Sequence, residues 1–202
     1  MLDRNTQEII RAVVHAIAEK QAPGTPIIDL GCGEGWLLEA LAKAGFTRLT
    51  GVGYRVNPRQ DASIIDGVDL CTEGWAARCL PGTYQVAVAT EVIEHLTNPF
   101  LFLSQARQLL RDDGMLILTF PNVHNWRSII GYALTGRLSG FFGPNFNDNH
   151  PLHDQHIFIP NIHLIRYLLK VAGFTVTAEQ YINGAGRLFS QTTLVIARRI
   201  HA

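Results

Sequence analysis

The sequence predicts an α/β fold of three layers: a doubly wound, seven-stranded, mostly parallel sheet between helices, with the last strand antiparallel. Three observations predict it. Short apolar runs alternate with longer stretches of helical periodicity along most of the chain. An apolar run over 27–30 passes through three alternating glycines into a helical pattern, which is the strand–turn–helix unit of parallel sheets. The two final apolar runs are separated by a short loop, so they must pair antiparallel.

Each element has its own local reason. Residues 6–20 carry Ile9, Ile10, Val13, Val14 and Ile17 at helical spacing, and Pro and Gly break the pattern over 21–26. Strand one spans 27–30, and a crossover helix spans 36–44 with Gly45 as its stop. Strand two is read over 49–53 and strand three over 63–69. Strand four, 84–90, is apolar almost throughout, as a strand covered on both faces should be. A helix over 99–110 opens with Pro99, and Asp113-Gly114 reads as a turn before strand five at 115–120. A helix over 162–172 stops at Gly173, and strands over 174–181 and 192–197 close the sheet around a loop with Gly184 and Gly186. Residues 1–202 read as one domain. The stretch 123–160, dense in Gly, Asn, His and aromatics, reads as a long loop and a candidate substrate lid.

Composition narrows the function. The chain has 202 residues, 47% hydrophobic and 17% charged, which is enough apolar material for a sizeable core. It holds 17 Lys and Arg against 17 Asp and Glu, so no broad basic surface for nucleic acid is expected. No apolar run is long enough to cross a bilayer, and the start Met1-Leu2-Asp3-Arg4-Asn5 lacks the plan of a signal peptide. Three cysteines, Cys32, Cys71 and Cys79, form no C-x-x-C pair and read as neutral thiols in a reducing cytoplasm.

The most informative segment is Asp29-Leu30-Gly31-Cys32-Gly33-Glu34-Gly35. Glycines let the backbone turn sharply and approach a ligand, and the helix N-terminus behind them favours a carboxylate or phosphate. The dinucleotide fingerprint would put its third glycine one position later, where Trp36 stands. The D-x-G-x-G-x-G string instead resembles motif I of the class I S-adenosylmethionine (SAM) methyltransferases, whose Rossmann-like sheet has the same plan. That resemblance covers about 27–197. It implies that Asp29, Gly31, Cys32, Gly33 and Gly35 surround the methionine part of SAM.

The family's next landmark is an acidic residue after strand two that holds the ribose hydroxyls. Gly53 stands there, so a bidentate acceptor of charge-assisted hydrogen bonds is missing, and Tyr54 is the candidate substitute. The resemblance places Asp69 and Leu70 at the adenine, and Thr90 and Glu91 beside the sulfonium.

Glu91-Val92-Ile93-Glu94-His95-Leu96 is the second informative segment. Residues three and four apart on a helical turn share a face, so Glu91, Glu94 and His95 should converge. The E-x-x-E-H string resembles metal-dependent small-RNA 2′-O-methyltransferases and quinone-biosynthesis O-methyltransferases. In the RNA enzymes a later D-x-H-x-F-like stretch completes the site, and Asp154-Gln155-His156-Ile157-Phe158 is similar to it. The implied metal set for Mg²⁺ or Mn²⁺ is Glu91, Glu94, His95 and His156. The implied catalytic residues are His95, His156 and Glu91, with either histidine as general base in the absence of a metal. A packing and capping role for this turn is the bland alternative.

Phe120-Pro121-Asn122-Val123-His124-Asn125-Trp126-Arg127, Leu134-Thr135-Gly136-Arg137 and Ile159-Pro160-Asn161-Ile162-His163 resemble the MetW-like group, some of whose members act with a partner enzyme. Trp126, Phe141, Phe142 and Phe146 are read as lining an acceptor pocket or partner surface, or as packing the lid on the sheet. His150 and His153 are read as polar groups of the lid, and His163 as a surface or packing residue of the late helix. Three functions stand. The favoured one is SAM-dependent methyl transfer to a hydroxyl or similar nucleophile of a small-molecule, lipid or sugar acceptor. The others are a non-catalytic MetW-like partner protein and an RNA 2′-O-methyltransferase, the last disfavoured by the neutral charge. A protein partner or a homodimer is also expected.

Overall fold

A computed structural model describes residues 2–54, 56–57, 62–141 and 155–200. Its sheet has seven strands in the order β3-β2-β1-β4-β5-β7-β6. They are β1 (Pro26–Leu30), β2 (Arg48–Val52), β3 (Ser63–Ile65), β4 (Tyr84–Thr90), β5 (Leu110–Pro121), β6 (Phe174–Ile182) and β7 (Thr192–Arg199). Strands β1 to β5 are parallel, and β7 inserts antiparallel between β5 and β6.

Alternate strand residues feed two cores, as the strand period of two requires. Ile27, Val86, Val88, Met115, Ile117 and Ile196 face α1 (Arg4–Ala18) and α2 (Trp36–Lys43). Ile28, Leu30, Ala87, Leu116, Leu118 and Val195 face the other way, onto α3 (Pro99–Leu109) and α5 (Ile162–Val171). Strand β1 is buried on both faces, which explains its unbroken apolar run.

Caps set the helix ends. Asp3 accepts from the Thr6 N–H at 3.0 Å and so starts α1 two residues before the apolar pattern suggests. Asn98 caps α3 in the same way, with Pro99 in the first turn, and Asn161 caps α5.

Three expectations need correction. Strand β3 ends at Ile65, not near 69, because Gly67 turns the chain at φ +67°. The expected Asp113-Gly114 turn lies inside β5: Tyr84 pairs with Leu110 but Val86 with Met115, so a bulge absorbs the extra residues. The stretch after 123 is not all loop, since it contains α4 (Trp126–Thr135), capped by Asn125 and stopped by Gly136 at φ +71°. Trp126 is exposed on α4 and lies outside the lining of the cavity at the carboxyl ends of the strands. Phe142, Phe146, His150, His153 and Asp154, with much of the expected lid, lie outside the described residues. No described helix is long and apolar enough to cross a membrane.

Candidate active site

The carboxyl ends of β1, β2 and β4 open onto a cavity of about 680 Å³. This is where ligands sit in open α/β sheets, because the strand order reverses there. Gly31, Gly33, Gly53 and Tyr54 form one side of its wall. Asp69, Leu70, Glu91 and His95 form the rest of the predicted lining.

The glycine loop is held by the sheet. The N–H groups of Gly31 and Cys32 both donate to the Val52 carbonyl, at 2.8 and 3.2 Å, and that of Gly35 to the Cys32 carbonyl at 2.8 Å. Three of the loop's amides therefore close the turn itself. Gly31 sits at φ +83°, and a Cβ there would come within 2.7 Å of Val92, so both conformation and space demand glycine. Gly35, at φ +75°, is the cap that starts α2. Cys32 turns its sulfur toward Gly51 of β2, and burial pushes its thiol up to about 12, so it is inert. Asp29 is buried beneath the loop, and burial raises its carboxyl to about 7.

On the nucleoside side, Gly53 lies in ordinary backbone space. A Cβ there would meet only Val56 Cγ2 at 3.3 Å and backbone at 3.9 Å. Asp69 holds the Cys71 N–H on Oδ1 at 2.8 Å, an Asx turn that fixes its direction at the cavity wall.

The acid–histidine side is built from three separated pieces of chain. Glu91 follows β4 at φ +51°, a strained position for a non-glycine residue, and its N–H donates to both the carbonyl and the hydroxyl of Thr119 at 3.1 Å. Burial lifts its carboxyl to about 7, against a lowering hydrogen bond from Thr119. Thr90, beside it, has a buried hydroxyl with no protein partner. A single 3₁₀ turn, Ile93–His95, then points Glu94 inward. Glu94 is 0% exposed, and neither of its carboxylate oxygens has a hydrogen-bond partner. Burial, and then the charge of Glu91, raise its pKa well above the ordinary carboxylate range.

His156 arrives from far along the chain because the Ile157 and Phe158 N–H groups both donate to the Glu94 carbonyl at 2.9 Å. The same segment orients His95: its Nδ1–H donates to the Gln155 carbonyl at 3.1 Å, which leaves Nε2 as the basic nitrogen. The two rings stand edge to face with centroids 4.7 Å apart, and Phe141 packs on His156 at 5.1 Å. His156 Nδ1 is buried without a partner, and burial lowers its pKa, so this imidazole is neutral at pH 7.

Ligating atoms of Glu94, His95 and His156 all lie within 4.8 Å of one another. Glu91 stands outside this trio and acts on it through charge. One carboxylate and two imidazoles, with orphaned oxygens on the carboxylate, suit a divalent ion, and the nitrogen content suits Mn²⁺ better than Mg²⁺. Thr119 and the backbone of Gln155 carry no sequence signal for their parts; Val68, Val92, Leu96 and Thr97 also line the cavity and read from sequence only as apolar or turn residues.

A methyltransferase-domain family model matches residues 2–179. The ubiquinone biosynthesis O-methyltransferase of Paraburkholderia xenovorans is 28% identical over 113 residues, which is 52% of this chain and 48% of that protein. That of Actinobacillus pleuropneumoniae is 28% identical over 122 residues, 55% of this chain and 50% of the relative. The chain thus spans about half the length of the curated relatives it matches. Among solved structures, a SAM-dependent methyltransferase from Archaeoglobus fulgidus aligns with a TM-score of 0.69 at 14% identity, covering 96% of this chain and 94% of that one. Magnesium protoporphyrin IX methyltransferase from Synechocystis, with bound SAH, aligns at 0.67 and 19% identity, covering 98% and 89%. A Haloferax volcanii methyltransferase in complex with the activator Trm112 aligns at 0.68 and 16% identity, covering 98% and 92%. The loop, the cavity and the sheet order agree with these findings: the chain belongs to the methyltransferase-domain family and has the fold of SAM-dependent methyltransferases.

Proposed function

We propose that this chain transfers the methyl group of SAM to a hydroxyl of a small-molecule, lipid or sugar acceptor. The observation that carries the reading is the Glu94–His95–His156 cluster beside a glycine-loop cavity large enough for a nucleoside. The methionine part of SAM lies along Gly31 to Gly35. Asp29, raised to about 7 by burial, gains a counter-charge from the ligand's ammonium group. Tyr54 and the backbone of Gly53 take the ribose, Asp69 and Leu70 the adenine, and Thr90 and Glu91 the region of the sulfonium.

A divalent ion held by Glu94, His95 and His156 would lower the pKa of an acceptor hydroxyl and orient it. With no ion bound, His95 Nε2 takes the proton that the hydroxyl releases; with an ion on that nitrogen, the proton passes to solvent. The oxygen then attacks the methyl carbon as the carbon–sulfur bond breaks, giving a methyl ether and S-adenosylhomocysteine, with the sulfonium charge neutralised. Glu91 stays protonated in part and keeps negative charge from accumulating beside Glu94. The described part of the 123–160 region, with Phe141 and His156 packed together, supplies the acceptor side.

The names of the relatives, O-methyltransferases, speak for an oxygen acceptor, and catechols, whose adjacent oxygens suit a metal, are the first probes. Calorimetry should show SAM and its demethylated product binding at micromolar concentration, and added Mn²⁺ should raise S-adenosylhomocysteine formation from catechol. An unchanged rate in chelator removes the metal from the scheme. A second reading, a non-catalytic partner protein, is favoured by Gly53 in place of the acidic residue; SAM binding without turnover across phenol, catechol and sugar acceptors would select it.

A further inference from the structure

Helix α4 is built inside out. Ser128 is its one buried residue, and half-buried Gly131 lies on the same side, three residues on. A Cβ at Gly131 would crowd the Arg137 carbonyl at 3.3 Å, so a small residue fits this side. The opposite side carries Trp126, Ile129, Ile130, Ala133 and Leu134, at i, i+3, i+4, i+7 and i+8. This is the spacing of a core-facing stripe, yet its large members are between 42% and 80% exposed. Helix α5 shows the ordinary arrangement, with Ile162, Ile165 and Leu169 buried. Nothing among the described residues accounts for small residues facing the protein and large apolar ones facing water.

Charge decides the occupant. Residues 122–141 contain none of the chain's 17 acidic side chains, although the chain as a whole is neutral. Exposed Arg127 lies over the Trp126 ring at 5.5 Å, and exposed Arg137 follows the helix. Tyr132, 60% exposed, flanks the stripe. A second exposed apolar pair, Leu188 and Phe189 beside Arg187, belongs to the same edge, because the Asn122 side chain donates to the carbonyls of Arg187 and Ser190 just before α4 begins. An apolar stripe bordered by Trp, Tyr and Arg, without acids, matches the boundary of an anionic bilayer.

We propose that α4 is an interfacial helix that docks this chain on the surface of anionic lipid, without crossing it. The segment that follows α4 leads to Phe141 on His156, so the docked face adjoins the acceptor side of the candidate active site. The inference goes beyond methyl transfer and does not depend on it.

The test uses the whole chain with vesicles of phosphatidylcholine alone and of phosphatidylcholine with phosphatidylglycerol. Flotation should find the chain on the anionic vesicles only, with a blue shift in emission that Trp126→Phe abolishes. The paired change Ile129→Ser and Ile130→Ser should weaken binding about a hundredfold. Arg127→Gln with Arg137→Gln should weaken it about tenfold and flatten its salt dependence. SAM affinity, measured by calorimetry on each variant, should stay unchanged, which separates lost docking from lost folding and from failure of the methyltransferase reading. Absence of vesicle binding overturns the proposal, and so does equal binding to neutral vesicles. A dimer in sedimentation that the serine pair abolishes, with no vesicle binding, gives the face to a second copy instead.

Discussion

The two halves of the cavity are made differently. The glycine-loop half is a contiguous piece of backbone, Asp29 to Gly35, whose shape follows from glycine φ values and from hydrogen bonds to the neighbouring strand. The acid–histidine half is a convergence of side chains from β4, a 3₁₀ turn and a segment near 156, and it holds orphaned polar atoms that a folded core ordinarily avoids. The contrast teaches that backbone-built sites are fixed by local sequence and sit comfortably without a ligand. Side-chain-built sites carry a standing electrostatic cost that only a ligand or proton relieves.

The sharpest way to break the comparison is Glu94→Ala. It should lower turnover about 10²–10³-fold and abolish any Mn²⁺ dependence, while leaving SAM affinity within twofold. A variant that keeps its rate makes the acid–histidine half a structural element. Gly31→Ala strikes the other half: with φ at +83° and Val92 in the way, it should cost about 2–3 kcal/mol in SAM binding or stability, read by calorimetry and thermal melts.

Asp29 sharpens the contrast through pH. Its folded-state pKa, about 7, lies above the ordinary 3.8, so the folded chain holds the proton more tightly than the unfolded one. Its contribution to stability is complete below about pH 4 and is lost as pH rises through 7. Asp29→Asn should remove about 2 kcal/mol of that decline, measured as denaturant midpoints at pH 5 and 8. An undiminished slope would place the proton on other groups. The smallest effect concerns the missing ribose acceptor. Because Gly53 has room for a Cβ, Gly53→Asp should fold and bind SAM about tenfold more tightly. Weaker binding would mean that Tyr54 already fills the role.

The sheet was largely legible. Its strands announced themselves as apolar runs because β1, β4 and β5 are covered on both faces, and the short final loop set the antiparallel pair. Errors fell where local signals were weak. The three-residue β3 and the bulged start of β5 depend on pairing partners rather than on their own residues. Helix α4 was hidden because its apolar stripe is flanked by Gly, Asn and His, and because it packs through small residues.

The site divides in the same way. The turn through Gly31, Gly33 and Gly35 could be read directly, since alternating glycines after a buried strand signal left-handed backbone, and Gly31 and Gly33 line the cavity. Glu91, Glu94 and His95 could be read as a group, but not which of them would converge. The E-x-x-E-H spacing suggested three ligands on one helical face, whereas the 3₁₀ turn buries Glu94 toward His156 and leaves Glu91 pinned on Thr119.

The sequence alone determined the strand order's raw material, the glycine loop and the chemistry on offer, because these depend on backbone conformation and on apolar periodicity over a few residues. Tertiary structure alone decided that the Glu94 carboxylate has no hydrogen-bond partner among the described residues, that His95 turns Nδ1 to the Gln155 carbonyl, and that the apolar stripe of α4 faces outward. Those facts are set by what packs against each side chain from distant parts of the chain. Burial and desolvation are properties of that packing, and no short window of residues contains them.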